Sequence, residues 1–312
     1  MISPQELKTR VRGLLSFPVT PFTADNEINV PAFRDHVQFM IDAKPEALFV
    51  CGGTGEYFSI NLDEYRTLVR ASVEQAAGKL PIIAGAGYGT RLAIDFARAA
   101  EEAGADGIMV MPPYLMHSEQ EGLYRHYRAI AEAVKIGVIV YQRDNAIFAP
   151  ATVARLAEVP NIIGFKDGYG EMERLIRIQL AVGDRLIFLN GMPTAELSAQ
   201  AYFGVGCTTY SSAVFNFVPE ISHAFFAAVS SGNHAECARL LDGFFRPFGE
   251  LRDRVKGYAV SLIKTGLSVT GRAVGGVRAP LVDPPAEHIE QMRVIVQRGL
   301  ELVKKPAAAA NS

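Results

Sequence analysis

Short apolar segments rich in β-branched residues alternate along the chain with longer amphipathic segments. Eight apolar segments are bounded by Gly, Pro or polar residues, which predicts eight β-strands. They cover residues 14–20, 47–51, 81–87, 106–112, 137–142, 161–166, 186–191 and 206–211. Because the segments are almost continuously apolar, the strands are expected to be buried on both faces, which is typical of a parallel sheet.

Amphipathic helices are predicted between the strands. Asn61 is a residue type that commonly begins a helix, and apolar side chains follow it at helical spacing. The helices predicted in this way cover residues 61–77, 90–103, 119–135 and 169–182. Eight strand–helix units in about 220 residues favour an α/β fold of the (β/α)8 TIM-barrel type. A doubly wound open sheet, which usually has fewer strands, is the alternative.

The alternation ends after the eighth strand. Residues 233–264 and 286–304 have helical patterns and are separated by a Gly-rich segment. The sequence therefore predicts a catalytic barrel domain at residues 1–230 and a C-terminal helical region at residues 231–312. This helical appendage offers a surface for contacts between subunits.

Composition and charge exclude several classes of protein. The 312 residues, 49% of them hydrophobic, are enough to bury one large core. A formal net charge of −2 provides no basic surface for nucleic acid. The apolar runs are too short to span a membrane, and the charged N-terminus lacks the apolar core of a signal peptide. We therefore expect a cytoplasmic protein with neither nucleic-acid nor membrane partners.

A lysine at the end of the sixth predicted strand is the strongest candidate for chemistry. In a (β/α)8 barrel the active site gathers at the carboxyl ends of the strands, and Lys166 alone among nine lysines ends a strand there. Burial lowers the pKa of a lysine, and a neutral amine can form a Schiff base with a ketone. A lysine that simply reaches solvent is the alternative.

Three more polar residues end neighbouring strands. Tyr141 ends the fifth strand, so its phenol is expected beside the Lys166 amine, where it could shuttle protons. Alternatively, it packs in the barrel with its hydroxyl on a backbone group. Arg143 and Asn190 could hold a carboxylate or another polar substituent, and either could instead fix a loop.

A Gly-rich turn, GGTGE, follows the second strand. Successive backbone N–H groups in such a turn can bind an anion, and Thr54 adds a hydroxyl, so a substrate carboxylate is expected at Gly53 and Thr54. The glycines could also merely serve a tight turn. Residues 85–90, GAGYGT, lack the final glycine of a dinucleotide fingerprint, and no HExxH or paired metal-ligand spacing occurs. We therefore expect neither a cofactor nor a metal.

Taken in order, SFPVTPF, GGTGE, Tyr141 and GFKDG resemble the dihydrodipicolinate synthase / N-acetylneuraminate lyase family over most of the chain. The resemblance implies a barrel in which Lys166 forms a Schiff base with a 2-oxo acid. It also implies that Tyr141 assists proton transfer and that Gly53 and Thr54 bind the carboxylate. Members of this family are typically homotetramers that need no cofactor.

Three departures point away from the lysine-biosynthetic condensation of that family. Gly53 stands where the synthases carry the first of two threonines, Leu115 where they carry a relay tyrosine, and Ala146 where they carry an arginine. The segments GGTGE, VYQRDN, GFKDGYGEMERL and TYSSAVFNF instead resemble the decarboxylating dehydratases of D-glucarate catabolism. That resemblance implies conversion of 5-dehydro-4-deoxy-D-glucarate to 2,5-dioxopentanoate with loss of water and carbon dioxide. Arg143 or Ser211 is the expected partner of the second carboxylate.

Other functions stay open from the sequence. Within the family, the alternatives are a 2-oxo-3-deoxy sugar acid aldolase and a condensing enzyme like dihydrodipicolinate synthase. From a different class, a non-catalytic barrel could bind a sugar acid, although the presence of both Lys166 and Tyr141 argues against it. Each alternative implies a small-molecule 2-oxo acid as the partner.

Overall fold

Eight parallel strands form a closed barrel in the computed structural model, which describes residues 1–304. The strands are β1 (Leu14–Leu15), β2 (Leu48–Val50), β3 (Ile82–Ala86), β4 (Gly107–Val110), β5 (Gly137–Gln142), β6 (Ile162–Asp167), β7 (Ile187–Asn190) and β8 (Thr209–Ser211). Strands consecutive in the chain pair side by side from β2 to β8, and β8 pairs with β1. A parallel bridge between Ser16 and Leu48 joins β1 to β2 and closes the barrel. The predicted fold and the presence of all eight strands are confirmed, although β1 covers only two of its predicted residues, 14–20.

Helices surround the barrel and continue beyond it. They are α1 (Pro4–Arg10), α2 (Val30–Asp42), α3 (Leu62–Ala76), α4 (Thr90–Glu102), α5 (Gln120–Glu132), α6 (Pro150–Leu156), α7 (Met172–Val182), α8 (Glu196–Gly204), α9 (Pro219–Ser230), α10 (His234–Leu240), α11 (Arg246–Arg252), α12 (Tyr258–Val269) and α13 (Ala286–Lys304). Helix α3 begins after Asn61, whose side chain accepts hydrogen bonds from the backbone N–H groups of Asp63 and Glu64, as its residue type predicts. None of the helices in residues 1–304 combines the length and apolarity needed to cross a membrane.

The strands are apolar throughout because both of their faces are buried. In β5, Ile139 and Tyr141 point into the barrel, whereas Val138 and Val140 pack under the surrounding helices. Helix α1, which the sequence pattern did not predict, brings Leu7 into the inner cluster at the amino-terminal end of the barrel. Leu7 lies against Gly107 and Gly137, where any side chain would collide with it. Helix α1 therefore closes the end of the barrel opposite the strands' carboxyl ends.

The C-terminal helices differ from the prediction in one respect. The single helix expected over residues 233–264 is divided into α10, a π-helical turn at Leu241–Phe245, α11 and α12. Pro247, in the first turn of α11, has no N–H group for a helical hydrogen bond, and Gly257 before α12 has a φ of 99°. Helix α13 matches the predicted 286–304, and residues 305–312 of the predicted helical region lie outside the described residues.

Candidate active site

A cavity of about 640 Å³ opens at the carboxyl ends of the strands. Its lining includes six of the seven predicted site residues, namely Gly53, Thr54, Tyr141, Arg143, Lys166 and Ser211. The C-terminal helical region supplies another wall, with Phe248, Arg252, Lys256 and Ile263 among its residues. The sequence pattern gave no signal for this wall, because it predicted helices there but not where they pack.

Lys166 lies at the bottom of this cavity and is 4% exposed. Aromatic rings surround its amine, with the Phe17 ring centre 4.1 Å and the Tyr141 ring centre 4.8 Å from Nζ. No carboxylate of the described residues lies within ion-pair distance of Nζ. Burial, assisted by the charge of Arg143, lowers the pKa of Lys166 to about 7. A large share of the amine is therefore neutral, and nucleophilic, near neutral pH.

Tyr141 pairs in register with Lys166 across β5 and β6, so the two side chains lie side by side inside the barrel. Its hydroxyl donates a hydrogen bond to the Gly191 carbonyl oxygen at 3.0 Å and accepts one from Arg143 Nη1 at 3.3 Å. The structure thus combines both sequence interpretations of Tyr141, proximity to the amine and a backbone partner. Burial raises the pKa of Tyr141, partly offset by the charge of Arg143, so the phenol is protonated at neutral pH.

Gly191 allows this arrangement and was not recognised from the sequence. A Cβ at this position would lie 2.8 Å from Lys166 Cε and 2.8 Å from Tyr141 Cε2. Any other residue would therefore displace the two side chains. The available signal was the Asn-Gly pair at the end of the seventh predicted strand, directly beside the strand that carries the lysine.

The GGTGE turn faces the cavity from β2. Gly53 is exposed, and the described residues offer no hydrogen-bond acceptor to the backbone N–H groups of Gly53 and Thr54. The turn closes on itself through hydrogen bonds from the N–H groups of Glu56 and Tyr57 to the carbonyls of Gly53 and Gly52, both at 3.1 Å. Free N–H groups at a cavity wall suit a carboxylate.

Ser211 and Asn190 lie in different surroundings. Ser211 Oγ is 3.4 Å from Lys166 Nζ, so it belongs to the immediate neighbourhood of the amine. The Asn190 amide donates hydrogen bonds to the Ala195 carbonyl and to Ser198 Oγ, both at 3.1 Å, and accepts one from the Met192 N–H. Asn190 thus fixes the loop after β7 and does not line the cavity.

Asp167 follows the lysine but points out of the barrel. It is buried, and its carboxylate accepts hydrogen bonds from Tyr202 Oη at 2.6 Å and Gln142 Nε2 at 2.8 Å. Its carboxylate also accepts hydrogen bonds from the backbone N–H groups of Tyr169 and Gly170, so Asp167 anchors the turn after β6. In residues 1–304, no three His, Cys, Asp or Glu side chains group in a way that could hold a metal ion.

Comparisons with known proteins agree on one family. Residues 10–299 match the model of the dihydrodipicolinate synthetase family. A curated protein of Streptomyces griseus named "Probable 5-dehydro-4-deoxyglucarate dehydratase" is 50% identical over 304 residues, covering 96% of this chain and 95% of the relative. A protein of Chelativorans sp. (strain BNC1) with the same name is 51% identical over 293 residues, covering 93% of this chain and 97% of the relative.

Solved structures support the same fold. The crystal structure of dihydrodipicolinate synthase from Bacillus clausii superposes with a TM-score of 0.87 at 25% identity, covering 95% of this chain and 100% of that chain. The enzyme of the same name from Oceanobacillus iheyensis gives a TM-score of 0.89 at 24% identity, covering 96% and 100% of the two chains.

Proposed function

The chain belongs to the dihydrodipicolinate synthetase family, and we propose that within it the protein is a decarboxylating dehydratase. Its substrate is then 5-dehydro-4-deoxy-D-glucarate, and its products are 2,5-dioxopentanoate, water and carbon dioxide. Curated relatives that are 50% and 51% identical carry the name of this dehydratase. One structural observation carries the proposal: the buried Lys166 amine, which has no carboxylate partner among residues 1–304, lies beside the Tyr141 phenol in a cavity.

Schiff-base formation is the first step. The neutral Lys166 amine attacks the C5 ketone, and the carbinolamine then loses water to give an iminium. Tyr141, protonated at neutral pH, donates the proton that the departing hydroxyl needs. The free N–H groups of Gly53 and Thr54 hold the adjacent C6 carboxylate.

Dehydration and decarboxylation both use the iminium as an electron sink. The iminium acidifies the C4 protons, and the Tyr141 phenolate, stabilised by Arg143, removes one of them. The enamine expels the C3 hydroxyl as water, which leaves an iminium conjugated with a C3–C4 double bond. The electron pair of the C1–C2 bond flows into this system as C1 leaves as carbon dioxide. Protonation at C4 and C3 gives the aldehyde, and hydrolysis of the iminium frees Lys166.

The second carboxylate requires a cationic partner in the cavity. Arg143 lines the cavity and offers a guanidinium fork, which suits a carboxylate. Ser211 lies next to Lys166 Nζ, so we assign it to the reacting carbons and Arg143 to the distal carboxylate.

The alternative functions predict different reactions. An aldolase or a condensing enzyme would use the same Schiff base, but the names of the curated relatives favour the dehydratase. A barrel that only binds a sugar acid has no use for an amine whose pKa is lowered to about 7. A cytoplasmic homotetramer, with the catalytic groups on residues 1–230, is part of the same proposal and is supported by the family resemblance.

Incubation with 5-dehydro-4-deoxy-D-glucarate tests the proposal. We expect equal amounts of carbon dioxide and 2,5-dioxopentanoate. Release of pyruvate would instead identify an aldolase, and binding without turnover would identify a binding protein. Borohydride reduction in the presence of substrate should add its mass to a peptide containing Lys166, and absence of this adduct would contradict the Schiff-base mechanism.

A further inference from the structure

The GGTGE turn is tied to the C-terminal helical region by a buried ion pair. Glu56, the last residue of the turn, is fully buried, and its Oε1 lies 2.6 Å from Nζ of Lys264 on α12. Lys264 is 2% exposed, and its amine also donates a hydrogen bond to the Gly276 carbonyl at 2.7 Å. The second oxygen of Glu56 accepts a hydrogen bond from the backbone N–H of Arg278 at 3.0 Å.

The backbone of the turn needs such an anchor. Cys51 and Glu56, the two residues that bound the glycines, both have left-handed backbone conformations, with φ of 51° and 55°. Residues other than glycine avoid this region, so they persist there only where surrounding contacts determine them. The Glu56 side chain provides these contacts at one end of the turn. Near it, the Thr20 hydroxyl donates a hydrogen bond to the Gly55 carbonyl at 2.6 Å.

Helix α12 connects this anchor to the opposite wall of the cavity. Ala259, Val260 and Ile263 of α12 line the cavity, and Lys264 follows directly. The Gly-rich segment after α12 is also fixed, because the Phe22 N–H donates to the Val274 carbonyl and Gly276 accepts from Lys264. The pair thus joins the two walls between which a substrate would lie.

We propose that Glu56 and Lys264 form a positioning pair that sets the GGTGE turn, so that affinity for the carboxylate of a 2-oxo acid depends on the C-terminal helical region. This inference rests on the proposed function in one respect, the assignment of Gly53 and Thr54 to the substrate carboxylate. Neither Glu56 nor Lys264 belongs to the cavity lining, so the pair acts through the backbone N–H groups that the turn presents.

Two ketones separate this role from a general effect on the fold or on Lys166. Pyruvate needs both the lysine and the turn, whereas acetone lacks a carboxylate and needs only the lysine. In the double variant Glu56→Gln/Lys264→Met both charges disappear, and glutamine can still accept the hydrogen bond from Arg278. We expect the pyruvate concentration for half-maximal borohydride trapping to rise about tenfold or more, since small misplacements of binding groups are costly. The corresponding acetone concentration should not change.

A matched control uses another ion pair of the same helical region. Glu236 and Arg239 of α10 are paired and half-buried but do not line the cavity. The variant Glu236→Gln/Arg239→Met should leave the trapping of both ketones unchanged. Equal shifts for pyruvate and acetone in the Glu56/Lys264 variant would overturn the proposal, as would no shift for either.

Hydrogen exchange of the peptide spanning residues 51–57 measures the turn without any Schiff base. It should be faster in the Glu56/Lys264 variant than in the wild type and unchanged in the control, and unchanged exchange in both would overturn the proposal. If the double variant does not fold, Glu56→Asp can be used, because it keeps both charges but shortens the side chain by one methylene. It should also weaken the trapping of pyruvate but not of acetone and speed hydrogen exchange of the turn. If the wild type traps no ketone, the proposed function fails, and hydrogen exchange alone then decides whether the pair holds the turn.

Discussion

Two buried lysines, one at a strand end and one on a C-terminal helix, have opposite surroundings. Lys166 is 4% and Lys264 is 2% exposed, and burial lowers the pKa of both amines. Lys264 has the Glu56 carboxylate at 2.6 Å, which favours its charged form. Lys166 has aromatic rings and one hydroxyl at 3.4 Å. Burial alone therefore does not distinguish the two amines; what distinguishes them is that Lys166 has no anionic partner among residues 1–304.

Replacing Lys166 should give the largest effect on activity and none of the usual cost in stability. In Lys166→Met we expect kcat/KM for the dehydratase reaction to fall by about 10⁴-fold or more, because the covalent route is lost. The free energy of unfolding at pH 7 should equal or exceed that of the wild type, because the variant no longer buries an amine that has no counter-ion among residues 1–304. Urea unfolding and steady-state kinetics measure both quantities. A strongly destabilised variant would show that Lys166 is a structural residue.

Replacing Lys264 should, in contrast, carry a large cost in stability. Lys264→Met leaves the Glu56 carboxylate buried without its partner, which should lower the free energy of unfolding by about 3–5 kcal/mol. Adding Glu56→Gln removes the remaining charge and should restore much of this loss in the same urea experiment. If the single and double variants are equally unstable, charge pairing is not what holds these two residues together.

The pH dependence of activity should follow Lys166 and not Lys264. With a pKa of about 7, Lys166 is protonated at lower pH, so kcat/KM should rise about tenfold per pH unit up to that value and then level off. The folded-state pKa lies below the ordinary value of 10.5. The wild type should therefore gain stability relative to Lys166→Met as pH rises from about 7 towards 10.5. A flat activity profile between pH 5.5 and 8 would contradict the assignment of this amine as the nucleophile.

The sequence was sufficient for the barrel and for the pair at its centre. Apolar runs separated by amphipathic segments mark the strands, and consecutive βα units place neighbouring strand ends together. Lys166 and Tyr141 were therefore expected side by side, and their register confirms it. Predicting that these two residues are neighbours requires only the order of the strands, which local sequence patterns indicate.

The face on which a residue lies was harder to predict. Tyr141, Lys166 and Leu189 share one register and point into the barrel. Asn190 pairs with Asp167, whose side chain points outward, so Asn190 serves the loop and not the cavity. A shift of one residue in a strand exchanges the two faces, and strand ends read from sequence are uncertain by at least that much.

Contacts between segments that are distant in the chain could not be predicted from the local sequence pattern. Glu56 and Lys264 each read as an ordinary charged residue, one in a Gly-rich turn and one on a predicted helix. Their pairing depends on how the C-terminal helices fold back over the barrel mouth, which hydrophobic periodicity does not specify. The short helix α1 was not predicted for a related reason, since seven residues are too few to show a helical period.

Helix α1 has a consequence for the route by which molecules reach and leave the cavity. Because Leu7 is packed into the amino-terminal end of the barrel, the cavity opens at the carboxyl ends of the strands. In the proposed mechanism, carbon dioxide, the aldehyde product and the water that hydrolyses the last iminium therefore all pass at this end of the barrel. In that mechanism, carbon dioxide forms while the five-carbon fragment is still bound to Lys166. The closed amino-terminal end thus places substrate entry and the departure of both products on the same side of the barrel, a restriction that the chemistry at the lysine alone does not impose.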